Sequence, residues 1–83
     1  MYSIQTQKKD TIYYNPNIKK FYVIEKQIDN QLQYEVRATI DNDDQLLGRY
    51  SDKVVAQELM DELITKIFWN DTVMLVMPED KTL

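Results

Sequence analysis

An apolar stripe at helical spacing, set directly behind a strand-like segment, constrains this chain more than any other feature. Ala56, Leu59, Met60, Leu63 and Ile67 recur at intervals of three and four, which puts them along one side of a helix. Just ahead, Leu46, Leu47, Gly48, Arg49 and Tyr50 end an extended segment, and Ser51 stands where an N-cap belongs. Asp52 then falls in the first turn, where the helix dipole favours negative charge. A lone amphipathic helix has no stable place for such a stripe, so the chain must also supply a sheet with an apolar face.

The chain holds a single glycine, so its turns fall to asparagine, aspartate and proline. Asn15-Pro16-Asn17, Asp29-Asn30, Asp41-Asn42-Asp43-Asp44 and Asn70-Asp71 cut it into strand-length pieces. Met1–Thr6 and Thr11–Tyr14 are predicted to pair around Gln7–Asp10, and Phe21–Ile28 is rich in β-branched and aromatic residues. Leu32–Ile40 alternates: Leu32, Tyr34, Val36, Ala38 and Ile40 share one face, and Gln33, Glu35, Arg37 and Thr39 the other. Asp29–Gln31 and Asn42–Gln45 are short enough for hairpin connections, so three strands should form a meander. Thr72–Met77 reads as a last short strand before Pro78, and Glu79–Leu83 as a frayed end. The fold class is therefore α+β. One domain over residues 1–83 should hold an antiparallel β-meander sheet of four to five strands, with one amphipathic helix packed on one face.

An 83-residue domain has a small core, worth only about 3–5 kcal/mol of net stability unless a partner adds buried area. With no cysteine and no histidine, the chain lacks the strongest nucleophile, the commonest general base and the two best transition-metal ligands. One glycine cannot build a phosphate-cradling loop. Asp41, Asp43 and Gln45 stand at alternate positions with Asp52 twelfth from Asp41, as in a calcium loop. Leu46 occupies the sixth place, where that loop needs glycine, and Asp52 is too short for the bidentate glutamate. These residues predict no enzyme, no cofactor, no metal and no small-molecule substrate. The polar Met1–Asp10 opening has no apolar signal core, and no apolar run nears the ~20 residues of a membrane span. The expectation is a soluble cytoplasmic protein.

Charge is unevenly divided within the net −4. Residues 1–26 hold five lysines against Asp10 and Glu25, a balance of +3, and the remainder holds five basic and twelve acidic residues. An overall acidic chain is a poor partner for nucleic acid, since neutralising phosphates supplies most of that affinity. Tyr2, Tyr13, Tyr14, Tyr22, Tyr34 and Tyr50 could form a base-stacking platform, but aromatics on strands usually pack a sheet face.

At 100° per residue, Ile64 and Phe68 rotate off the edge of the helix stripe, and Trp69 lies near its opposite side. Two placements are open. Both aromatics fold under the chain as it turns at Asn70-Asp71, or they form an exposed apolar patch that marks a partner surface. Ile64, Phe68 and Trp69 are therefore the candidate interface, which a two-fold dimer would bury isologously.

Ile4-Gln5-Thr6-Gln7 with Asp10-Thr11-Ile12-Tyr13-Tyr14, then Leu47-Gly48-Arg49-Tyr50-Ser51 with Ala56 and Leu59-Met60, and finally Met77-Pro78-Glu79-Asp80, carry a resemblance across most of the chain. It is similar to small uncharacterised proteins of Gram-positive bacteria and their phages or mobile elements. Those proteins usually place proline before the tyrosine, where this chain has Ile12. The group has no established activity, so the resemblance implies a mobile-element origin and assigns no functional residue. The function expected is a non-catalytic protein-interaction module, as a homodimer or with another protein. The alternatives are a small acidic inhibitor of a host protein and a nucleic-acid-binding accessory protein.

Overall fold

The computed structural model describes residues 2–69 and 73–80. Strands β1 (Tyr2–Gln5) and β2 (Ile12–Tyr14) open the chain, followed by β3 (Ile18–Ile28), β4 (Gln31–Ile40) and β5 (Asp43–Tyr50). Helix α1 (Lys53–Phe68) and strand β6 (Val73–Val76) complete it. The α+β class holds, but the strands divide into two three-stranded sheets, ordered β2-β1-β6 and β3-β4-β5. The expected meander is β3-β4-β5, antiparallel throughout. β1 pairs antiparallel with β2 and parallel with β6, the latter a long-range pairing across most of the chain.

Both meander turns are two-residue connections. Ile28 opposes Gln31 across Asp29-Asn30, and Ile40 opposes Asp43 across Asp41-Asn42, so the second turn is tighter than the expected Asn42–Gln45. All four turn residues have positive φ (53°, 64°, 51° and 71°), the backbone of a type I′ turn. Asparagine and aspartate tolerate this left-handed conformation better than other non-glycine residues, and so they replace glycine here.

The alternation in β4 translates into packing. Val36, Ala38 and Ile40 are buried with Ala56 and Leu63 of α1, while Leu59, Met60 and Ile67 pack against that core. Ile4 of β1 and Leu75 of β6, direct neighbours in register, join the same cluster with Leu47, Tyr50 and Met77. The two sheets therefore share one core, and the helix stripe covers β3, β4 and β5.

The helix cap sits one residue later than expected. Asp52, with extended backbone, is the N-cap and its carboxylate accepts from the Val54 N–H at 2.8 Å. Ser51 is committed elsewhere: its N–H and hydroxyl both donate to the Asp80 carboxylate, at 3.1 and 3.3 Å. That contact also corrects the frayed end. Pro78 and Asp80 are tied to the body of the fold, the Pro78 carbonyl accepting from the Tyr50 hydroxyl at 2.8 Å. Residues 81–83 of that expectation lie outside the described residues.

Candidate functional site

The open face of the β3-β4-β5 sheet, opposite the helix, is organised around a buried acid. Alternation alone would give Glu35 to solvent, yet it is fully buried. Cross-strand Arg49 lies opposite it in register and donates from Nε and an Nη to Glu35 Oε2 at 3.0 and 2.7 Å. Arg37, two residues along β4, donates to Oε1 at 2.6 Å. Arg37 Nε is also 3.2 Å from Asp44 Oδ2, an ion-pair distance without hydrogen-bond geometry. Burial pushes the Glu35 carboxyl up, but the hydrogen bonds from Arg49 and Arg37 and the charges of Arg49 and Lys26 outweigh it. The net result holds the carboxyl below its ordinary value.

Gln7 joins the two sheets. Its backbone N–H donates to the Leu47 carbonyl at 2.8 Å. That carbonyl is available because Val36 opposes Gly48 and Arg37 opposes Leu46, which leaves Leu47 as an extra residue bulged out of the ladder. Gly48 is required beside it: a Cβ there would fall 2.7 Å from the Tyr50 hydroxyl and 2.8 Å from its ring. Around these residues lies an open cleft of about 510 Å3, bordered by Lys8, Tyr13, Gln33, Arg49 and Asp80. Much of its polar lining is turned inward on the protein: Asp10 accepts from Thr6 and Thr11, and the Tyr13 hydroxyl donates to Gln45. Among the described residues, no group of three or more acidic side chains is placed to hold a metal ion. No helix of the described residues is long and apolar enough to cross a membrane.

Of the candidate interface, Phe68 is 77% exposed, Trp69 70% and Ile64 44%. Both aromatics therefore stand in solvent, where their rings meet edge to face with centroids 5.8 Å apart. Trp69 closes α1 as its C-cap, with its N–H bonded to the Thr65 carbonyl at 3.1 Å.

A second apolar surface was not read from the sequence. On the outer face of the β2-β1-β6 sheet, Ile12 and Val76 flank Gln5 in register, and Tyr14 and Met74 flank Ser3. Met74 and Val76 are each about half exposed (52% and 50%), and Ile12 and Tyr14 are exposed beside them. An unbroken apolar run such as Val73–Val76 signals a strand buried on both faces, so the sequence held no cue that one face is open.

The chain matches no protein-family model, no curated protein and no solved structure at a significant level.

Proposed function

We propose that this chain is a non-catalytic protein-interaction module that associates with a second copy of itself. The observation that carries the reading is the large apolar surface left exposed on a chain of only 83 residues, on β6 as well as at Phe68 and Trp69. Large aromatics left in solvent cost hydration free energy, and such side chains are enriched at the cores of protein interfaces. The half-exposed Met74 and Val76 extend the same argument to the sheet. The resemblance to small uncharacterised proteins of Gram-positive bacteria and their phages or mobile elements supports a mobile-element origin. Static light scattering across a concentration series tests the reading. Self-association predicts a mass approaching twice the 10.0 kDa of the chain. A mass that stays at that of one chain up to several hundred micromolar contradicts it.

A further inference from the structure

Two three-stranded sheets end in four strand edges, β2 and β6 in one, β3 and β5 in the other. An unprotected edge is a template for another strand, so natural proteins blunt it with charge, proline, a bulge, brevity or a cover. Three of these edges carry such a device. β2 is three residues long. β3 carries Lys19, Lys20, Glu25 and Lys26 and an irregular register near Ile18. β5 is bulged at Leu47 and covered there by Gln7. β6, four residues long and reading Val73-Met74-Leu75-Val76, is short as well, but it has no charge, no proline and no register shift.

The free edge of β6 also has a defined hydrogen-bonding phase. The Met77 N–H donates to the Gln5 carbonyl at 3.0 Å, so it points at β1. Successive residues of a strand address opposite sides, so Val73 and Leu75 point to β1 as well, while Met74 and Val76 turn their N–H and C=O to the open side. Along that side a groove of about 270 Å3 runs between β6 and α1, floored by Leu59 and Leu63, with Glu62 and Lys66 at its rim.

We propose that β6 pairs antiparallel with β6 of a second copy about a two-fold axis at Leu75, fusing two three-stranded sheets into one of six. Met74 then stands opposite Val76 of the partner subunit, and each such pair exchanges both of its backbone hydrogen bonds. The axis sets the apolar Met74 and Val76 side chains of the two copies against each other. The rim charges select a second copy over a foreign strand. Glu62 and Lys66 form an ion pair of 2.9 Å one helical turn apart, and a two-fold axis reverses that order, so each charge on one rim faces its opposite on the other. Ile64 and Phe68 lie on the other flank of α1 and stay outside this contact.

This pairing rests on the self-association reading, and sedimentation equilibrium of the full chain separates the two. Met74→Pro removes an N–H from the open edge and leaves the β1 ladder intact, a position at which strands tolerate proline. Circular dichroism checks that it remains folded, and Val76→Lys probes the same edge without a backbone change. The wild type should be a dimer, and either variant should raise its dissociation constant by about tenfold or more while the chain stays folded. Phe68→Glu should leave the dimer intact. Undiminished dimers of the folded edge variants, or dissociation by Phe68→Glu alone, overturn the β6 pairing and leave self-association standing. A monomeric wild type removes both.

Discussion

The side chain of Gln7 acts as one more residue of sheet against Arg49. Its amide donates to the Arg49 carbonyl at 2.8 Å and accepts from the Arg49 N–H at 2.8 Å, as a paired strand would. The same amide lies 3.4 Å from the Pro78 carbonyl, so one side chain gathers the first loop, β5 and the C-terminal segment.

Gln7→Ala should therefore cost about 1–3 kcal/mol, because it leaves a half-buried backbone donor and acceptor unpaired. Urea denaturation measures it. Gln7→Glu, which can accept but not donate, should lie between wild type and alanine above the carboxylate range.

The helix stripe and the glycine beside Tyr50 make a paired packing prediction. Leu63→Ala should destabilise the fold by about 2–4 kcal/mol, since it hollows a core with few side chains to spare. Gly48→Ala should cost roughly 1–3 kcal/mol, because the fully buried Tyr50 ring cannot retreat from the added methyl. Exposed Glu58→Ala should stay within about 0.5 kcal/mol, and equal denaturation midpoints for Leu63→Ala and Glu58→Ala would refute the stripe.

Glu35 links stability to acid. Its carboxyl is held below the ordinary 4.5 in the folded chain, so its contribution is fully present above that pH and is lost as pH falls through the folded value. Glu35→Gln should flatten the acid limb of the stability curve. Glu35→Ala should cost about 2–4 kcal/mol, below the loss for a fully buried pair, because Arg37 and Arg49 remain partly in solvent.

Tyr50 links stability to alkali. Burial, and then the charge of Asp80, hold its hydroxyl above the ordinary value of 10.0. A raised value in the fold means the contribution is complete below pH 10.0 and declines as pH rises beyond it, where the unfolded chain ionises first. Tyr50→Phe should lower stability at neutral pH through loss of the bond to Pro78 and should weaken the alkaline decline. Thermal melts between neutrality and high pH measure both effects.

What was legible in the sequence was local and periodic. The two-residue period of β4 named Val36, Ala38 and Ile40, and the helical stripe named Ala56 and Leu63. All are buried because each period maps onto a face, whereas Leu32 of the same β4 face is exposed near the strand's start. Ile64 and Phe68 were read off the stripe's edge by the same geometry, and they are exposed. The parallel β1-β6 ladder left no local mark, since it joins segments some seventy residues apart and its apolar run suits a strand on either side of the core. The cap missed by one residue because Ser51 and Asp52 can both cap a helix, and only the distant Asp80 decides which is free. Glu35 was assigned to solvent because period alone cannot show that two arginines converge on it.

Amide hydrogen exchange at β6 tests the central claim most directly. Leu75 turns its N–H toward β1, whereas among the described residues no strand pairs with the side to which Met74 and Val76 turn theirs. Concentrating the protein from the low micromolar to several hundred micromolar should slow exchange at Met74 and Val76 and leave Leu75 unchanged. Equally fast exchange of those two amides at both concentrations would contradict it.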